Sequence, residues 1–226
     1  MLTTLEKLQE EIITCRKCPR LVLYREHIAR EKKPQYRDWK YWGKPMPSFG
    51  DPDGRVLVVG LAPAAHGGNR TGRMFTGDRS GDFLYQTLYR FGFSNQPTSR
   101  HREDGLTLSD LYITAVVRCV PPNNKPSKEE LANCHPYFLR ELELLKNVQV
   151  VVALGRIAFD ACLKAFQKRG IVLPRPRPTF GHGYVYTLAH SLILIASYHP
   201  SRQNTQTGRL TQEMFDAIFE EVRRYI

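Results

Sequence analysis

The stretch 60–82, GLAPAAHGGNRTGRMFTGDRSGD, is a long polar loop rich in glycine that directly follows the apolar run 55–59. Between its glycines lie an amide, two cations, an aromatic ring and a carboxylate: Asn69, Arg70, Arg73, Phe75 and Asp78. These residue types suit the binding of phosphates, a flat ring and a positioned water molecule. The loop contains neither G-x-G-x-x-G nor G-K-[ST], so it is neither a dinucleotide fingerprint nor a P-loop. The loop indicates a site without specifying its ligand.

Two further polar segments follow apolar runs. The run 192–197 ends in SYHPSRQN, in which His199 is held by the stiff Pro200, and the run 112–117 ends in RCVPPNNK, with Asn124 and Lys125. The carboxyl ends of parallel strands meet at one edge of a sheet, where open α/β folds bind ligands. A histidine that only caps its strand is the simpler interpretation of His199. Several polar loops at one edge favour a shared site instead.

The five cysteines are unevenly spaced. In a reducing compartment we do not expect disulfides. Cys162 falls on the apolar face of a predicted helix and is interpreted as a core thiol. The other four, Cys15, Cys18, Cys119 and Cys134, suit zinc or an iron–sulfur cluster. The second pair has fourteen residues between its members, which is unlike a zinc knuckle and favours a cluster. Zinc and four unrelated buried thiols remain open from spacing alone.

Periodicity predicts the elements that must position these residues. Strands are expected at 56–59, 112–117, 148–154 and 192–197, and helices at 2–14, 81–91, 127–146, 156–169 and 211–226. Ser127 and Glu130 form a capping box. Short apolar strands that alternate with helices predict the α/β class, as a three-layer α/β/α sandwich around a four-stranded parallel sheet. We expect one domain over 1–226, with 1–54 as an N-terminal helix and an irregular cluster-binding segment packed on it. The basic, proline-rich segment 173–179 is expected to lead into a turn and receives no role.

The chain has 226 residues, a formal net charge of +11 and a pI near 9.6. Such an excess of positive charge is typical of nucleic-acid binders, although a basic enzyme without a polyanionic partner remains the alternative. The first residues lack the apolar core of a signal peptide, and no apolar run is long enough to span a membrane. We therefore expect a cytoplasmic monomer that does not associate with membranes.

Several motifs together resemble a known family. In order they are GLAPAAHG, GRMFTGD, YITAVVRCVPPNNKP, the Cys134-His-Pro step and HPSRQN. They are similar to the motifs of iron–sulfur uracil-DNA glycosylases, and most closely to family 5, the B-type enzymes. The resemblance implies monofunctional excision of uracil from double- and single-stranded DNA in base excision repair. It also implies a structural four-iron, four-sulfur cluster held by Cys15, Cys18, Cys119 and Cys134. The resemblance therefore strongly favours a cluster over zinc as the group at these cysteines.

The same resemblance implies roles for the polar residues. Phe75 would stack on the extruded base, and His199 would donate a hydrogen bond to uracil O2, where negative charge develops. Asp78 and Asn124 are the candidates for holding the water molecule. The remaining pocket residues would be Gly60, Ala62, His66 and Ala115; His66 could also brace the loop. The DNA contacts would come from Arg70, Arg73, Lys125, Ser201, Arg202, Gln203 and Asn204.

Two positions depart from related families. Ala62 stands near the place where other families carry a polar residue, and Ala115 stands where YITNVV-type sequences carry the asparagine that reads the pyrimidine edge. Without that amide we expect relaxed selection and removal of other deaminated bases such as hypoxanthine and xanthine. The rivals are a non-catalytic iron–sulfur DNA-binding module and a nucleotide hydrolase or redox protein. Trp39, Tyr41 and Trp42 are expected to pack around the cluster rather than stack on bases.

Overall fold

The computed structural model describes residues 4–226. The helices in this range are α1 (Thr4–Ile13), α2 (Pro19–Glu31), α3 (Gly68–Thr71), α4 (Arg79–Arg90), α5 (Lys128–Leu144), α6 (Arg156–Lys168), α7 (Arg202–Gln206) and α8 (Gln212–Arg223). The strands are β1 (Phe49–Gly50), β2 (Val56–Gly60), β3 (Leu111–Ala115), β4 (Val150–Leu154), β5 (Val185–Thr187) and β6 (Ile193–Ser197). The first residues of the predicted helix at 2–14 lie outside the described range. No helix between residues 4 and 226 has the length and apolar character needed to cross a membrane.

The six strands form one sheet in the order β1-β3-β2-β4-β6-β5. The four central strands are parallel, and every residue in them is buried, as their continuous apolar sequences predict. The predicted four-stranded sheet is therefore extended at both edges by β1 and β5, which are antiparallel to their neighbours. These edge strands have two and three residues, too few for a period-2 pattern to be detected.

Helices cover both faces of the sheet, so the predicted three-layer α/β/α architecture is confirmed. On one face, α4 and α8 contribute buried residues such as Leu84, Leu88, Phe215 and Phe219. On the other face, α5 and α6 contribute Phe138, Leu142, Phe159 and Phe166. The capping box at the start of α5 is present, because the Ser127 hydroxyl accepts from the Glu130 amide and the Glu130 carboxylate accepts from the Ser127 amide.

The N-terminal third packs against this sandwich. Helix α1 buries Leu8 and Ile12 beside Tyr137 of α5. Helix α2 was not predicted; Pro19 is its first residue, but the apolar positions between its many charges follow no clear helical stripe. The aromatic rings after α2 have packing roles. Trp39 and Trp42, however, pack on the glycine-rich loop, whereas they were expected to pack around the cluster. Trp39 contacts the Arg70 guanidinium at 4.1 Å, and Trp42 lies against Gly72.

Candidate active site

Asp78 is fixed at the N-terminus of α4. Its Oδ1 accepts a hydrogen bond of 3.0 Å from the Gly81 amide, so this carboxylate is the N-cap of the helix. Its Oδ2 lies where a side chain on Gly67 would be, only 1.9 Å from the position of a Cβ atom there. Burial raises the pKa of Asp78, and the N–H bonds from Gly81 and Ser80 oppose that rise. A buried carboxylate with an environment this specific is typical of functional sites.

Phe75 adopts a backbone conformation that is rare for a residue with a side chain, with φ at +52°. Its ring lies over Gly60 at the end of β2, where a Cβ atom would be 3.0 Å from the Phe75 Cζ. Its carbonyl packs against Gly81, where a Cβ atom would be 1.8 Å away. Both glycines are therefore required to seat this ring. Strained backbone of this kind is concentrated at binding sites.

His199 follows β6 and lies beside Phe75, with 5.8 Å between the ring centroids. Asn204 donates a 2.8 Å hydrogen bond to the His199 carbonyl, which fixes the loop. Burial lowers the pKa of His199 to about 4, so the imidazole is neutral at neutral pH. A neutral imidazole donates from one nitrogen without bringing a charge. Phe75 thus has His199 beside its ring and Asp78 three residues along the chain, so the structure brings these three residues together.

His182 is a residue that sequence reasoning missed. Its Nδ1 accepts a 3.0 Å hydrogen bond from the amide of Tyr198, directly before His199. Its Nε2 lies 3.2 Å from the Met214 carbonyl, and its ring stacks on Tyr198 at 5.0 Å. An acceptor at Nδ1 and a donor at Nε2 select one neutral tautomer. The signal in the sequence was a histidine between two glycines, Gly181 and Gly183, which alone does not indicate its partner.

Two predicted DNA contacts are corrected by the structure. Arg70 and Arg73 are each 3% exposed. The Arg70 guanidinium lies 4.0 Å from the Tyr36 ring and donates to the Gly77 carbonyl. Arg73 forms an ion pair of 2.8 Å with Asp104. Both side chains are buried and bonded to parts of the protein, which favours a role in holding the glycine-rich loop in shape over contact with a DNA phosphate.

The other predicted DNA contacts lie on the surface or support it. Lys125, Arg202 and Gln203 are exposed, as is Asn124, the second candidate for holding the water molecule. Ser201 is instead the N-cap of α7, where its hydroxyl accepts from the Asn204 amide. Asn124 has a φ of +56°, which places it in a tight turn after β3. The carboxyl edge of the sheet thus presents exposed polar residues in the segments after β3 and β6.

The remaining predicted pocket residues line or support the same edge. Ala115 is buried and pairs with Gly60 at the ends of β3 and β2. Ala62 is half-buried just beyond β2. The Nδ1 of His66 lies 3.0 Å from the Tyr41 hydroxyl, and its ring stacks on Tyr36. These contacts favour the bracing role for His66 over direct contact with a base.

Four of the five cysteines line one cavity, formed by Cys15, Cys18, Cys119 and Cys134. Three of their sulfur atoms face N–H donors: Arg25 Nη1 is 2.9 Å from Cys119, the Arg118 amide is 3.3 Å from Cys134, and Asn133 Nδ2 is 3.6 Å from Cys18. Cys162 is fully buried in the core, as expected.

This donor set fits an iron–sulfur cluster. Four sulfur ligands around a shared cavity are what such clusters use, and N–H donors toward the sulfurs stabilise their negative charge. Within residues 4–226, no three histidine, cysteine, aspartate or glutamate side chains are grouped as ligands of a metal ion. A cluster differs from a single ion because its ligands are spread around several irons.

The fold and the site together define a class of protein. It is an α/β sandwich with an aromatic ring, a neutral imidazole and a carboxylate near the carboxyl edge of its sheet. A family model described as the uracil DNA glycosylase superfamily matches residues 47–223. A type-5 uracil-DNA glycosylase of Thermus thermophilus is 50% identical over 97% of this chain and 97% of its own length. One of Pyrobaculum aerophilum is 47% identical over 94% of this chain and 88% of its own. A type-4 uracil-DNA glycosylase of the same organism is 30% identical over 87% of this chain and 83% of its own length.

The chain therefore belongs to the uracil DNA glycosylase superfamily and, within it, to the type-5 uracil-DNA glycosylases. This confirms the resemblance carried by the sequence motifs.

Proposed function

We propose that this protein is a DNA glycosylase that hydrolyses the N-glycosidic bond of uracil in DNA and leaves an abasic site. Its net charge of +11 suits a polyanionic substrate. The observation that carries the proposal is that the Phe75 ring lies beside His199, with 5.8 Å between centroids, while the Phe75 carbonyl packs against Gly81, whose amide bonds Asp78. A glycosylase needs a ring to stack on, a donor for the departing base and a carboxylate near the sugar. A non-catalytic DNA-binding module would require none of these together.

The extruded uracil stacks on Phe75, a contact worth about 1–3 kcal/mol for aromatic rings and bases. As the C1′–N1 bond breaks, its electron pair moves onto the uracil and negative charge develops at O2. An imidazole N–H of neutral His199 donates to this oxygen and binds it more tightly in the transition state than in the ground state. The imidazole stays neutral throughout because burial keeps the pKa of His199 at about 4.

The Asp78 carboxylate acts on the sugar side. It stabilises the positive charge that develops at C1′ and accepts a hydrogen bond from the attacking water, with the exposed Asn124 amide as a second candidate for holding that water. The Gly81 amide bonds Oδ1 of Asp78, and Oδ2 lies against Gly67. Lys125, Arg202 and Gln203 on the exposed rim hold the duplex, and Ser201 and Asn204 shape their loop.

Cys15, Cys18, Cys119 and Cys134 hold a four-iron, four-sulfur cluster in this proposal. When bound, the cluster supplies iron–thiolate bonds that tie the N-terminal helices to the loop after β3. Hydrolysis of a glycosidic bond transfers no electrons, so the cluster has a structural role.

The pocket is also proposed to accept deaminated purines. At Ala115, where related families carry asparagine, the end of β3 has only a methyl group beside Gly60 of β2. A site without a matched polar partner discriminates weakly between bases. We expect the wild-type protein to release hypoxanthine as well as uracil, and Ala115→Asn to lower hypoxanthine release relative to uracil. Equal rates for the two bases in both proteins would contradict this specificity proposal.

The experiment that tests the function measures single-turnover release of uracil from a duplex, detected by alkaline cleavage of the abasic site. We expect Asp78→Asn and His199→Ala each to lower the rate about 100-fold or more. The matched control is Asp82→Asn, which changes an exposed carboxylate one turn along α4 and leaves the rate near wild type. Release unaffected by the first two changes would remove these residues from the mechanism.

A further inference from the structure

The basic, proline-rich segment 173–179 (LPRPRPT) has no role in the mechanism above. Its two arginines, Arg175 and Arg177, are exposed, and they alternate with prolines that restrict the backbone. The segment is nonetheless fixed at its far end. Pro178 is buried, and the amide and carbonyl of Thr179 both hydrogen-bond the Tyr186 hydroxyl, at 3.1 and 2.6 Å.

The chain that follows this segment lies at the catalytic edge of the sheet. Strand β5 runs antiparallel to β6, so the residues before β5 meet the residues after β6. The Gly183 amide donates to the Ala196 carbonyl at 2.8 Å. Phe180 contacts Tyr198, the neighbour of His199, with 6.1 Å between ring centroids. The segment therefore ends directly beside the loop that carries His199.

Two further arginines extend the positive surface on this side. The Arg156 guanidinium lies 5.4 Å from the Phe180 ring centre, and that of Arg209 lies 4.7 Å from the Tyr198 ring centre. Both residues are exposed. Stacking on fixed rings orients these cations while leaving their N–H donors free.

None of these four arginines has a carboxylate partner in the described part of the chain. No ion pair joins them to Asp160 or Glu213, the acidic residues nearest along the chain. Some exposed arginines on other faces are paired, Arg16 with Glu26, Arg90 with Asp216 and Arg140 with Glu11, whereas others such as Arg37 and Arg169 have no ion pair in the described part of the chain. The positive charge beside the catalytic edge is thus left uncompensated, which favours a polyanion.

We propose that Arg175 and Arg177, with Arg156 and Arg209 beside them, bind the phosphate backbone of duplex DNA on the β6 side of the extruded nucleotide. The inference rests on the proposed function for the identity of the substrate. Lys125 lies beyond β3, across β2 and β4 from β6, so the duplex would lie across the whole carboxyl edge. The stiff proline backbone lowers the entropy lost when the two arginines are ordered on DNA.

The test is the salt dependence of binding to a duplex with a stable abasic-site analogue, measured at equilibrium for wild type and for the double variant Arg175→Ala/Arg177→Ala. Each phosphate contact contributes about 0.9 to the slope of log affinity against log salt, so loss of two contacts lowers the slope by about 1.8. Between about 50 and 200 mM salt, wild-type affinity should then fall about 12-fold more than that of the variant.

A control variant, Lys146→Ala/Arg169→Ala, removes the same charge from exposed residues at the opposite edge of the sheet. We expect its slope to equal that of wild type. An unchanged slope in Arg175→Ala/Arg177→Ala, or an equal decrease in both double variants, would overturn the proposal.

Single-turnover uracil release at saturating protein separates this inference from the proposed function. The Arg175→Ala/Arg177→Ala variant should release uracil at the wild-type rate once bound. If wild type bound the duplex but released no base, the proposed function would fail. The salt slopes would still show whether Arg175 and Arg177 contact phosphates.

Discussion

Asp78 has two tasks that conflict energetically. It caps α4 through the Gly81 amide and is packed against Gly67, and we propose that it acts on the sugar. Because burial raises its pKa in the folded protein, the contribution of this group to stability is greatest below the ordinary value of 3.8 and is lost as the pH rises through the raised pKa. At neutral pH the ionised carboxylate therefore lowers the stability of the folded protein. The proposed reaction nevertheless requires this ionised form.

Asp78→Asn separates the two tasks. Asparagine is also a good N-cap and carries no charge to desolvate, so we expect the thermal unfolding temperature at pH 7 to stay equal or rise while base release is lost. The wild-type rate should fall as the pH drops through the raised pKa of Asp78. A variant that unfolds at a lower temperature, or an acid limb that survives Asp78→Asn, would contradict this account.

At the scale of elements, a buried charged network joins the helices and strands around the loop that contains Cys119. Glu141 of α5 is fully buried and pairs with Arg118 at 2.5 Å, directly before Cys119. Gln9 of α1 and Ser48 also donate to the Glu141 carboxylate, at 2.9 and 2.5 Å. One carboxylate thus connects the N-terminal helix, the segment before β1, the end of β3 and α5.

Glu141→Ala leaves the Arg118 guanidinium buried without its counter-charge. We expect a loss of about 3–5 kcal/mol in the free energy of unfolding, measured by urea denaturation. The control is Glu11→Ala, which removes an exposed ion pair between α1 and Arg140 of α5 and should cost about 0–1 kcal/mol. Similar costs for the two variants would show that the buried network does not stabilise the junction.

The sequence predicted the four central strands and the long helices other than α2, because each central strand is a continuous apolar run. It could not predict the edge strands β1 and β5, which are too short for periodicity to be detected. It also misplaced Arg70 and Arg73: an arginine among glycines suggests phosphate binding, whereas Asp104 and the Tyr36 ring are distant in sequence. The role of His182 depends on Tyr198 and Met214 in the same way.

At the scale of the whole molecule, the four cysteines proposed to hold the cluster come from distant parts of the chain. Cys15 and Cys18 lie between α1 and α2, whereas Cys119 lies in the loop after β3 and Cys134 in α5. A link across a loop of roughly 100 residues removes much of the conformational freedom of the unfolded chain. The cluster would therefore hold the N-terminal helices on the sandwich.

Replacing Cys119 and Cys134 together by serine should abolish the visible absorbance of an iron–sulfur cluster and lower the thermal unfolding temperature. Cys162→Ala is the control, since this thiol is fully buried in the core, away from the cavity that the other four cysteines line, and should retain the absorbance. In the loaded wild-type protein, oxidation or reduction of the cluster should leave the rate of uracil release unchanged. Iron retained after loss of both cysteines would show that the ligands are assigned wrongly.

In the proposed complex, one extruded nucleoside lies on Phe75, with His199 and Asp78 on either side. The most direct measurement is a structure of the Asp78→Asn variant bound to a duplex containing uracil. We predict the uracil ring stacked on Phe75, an imidazole nitrogen of His199 within hydrogen-bond distance of O2, and residue 78 facing C1′ from the opposite side. A uracil bound elsewhere, or a residue 78 turned away from the sugar, would contradict the account.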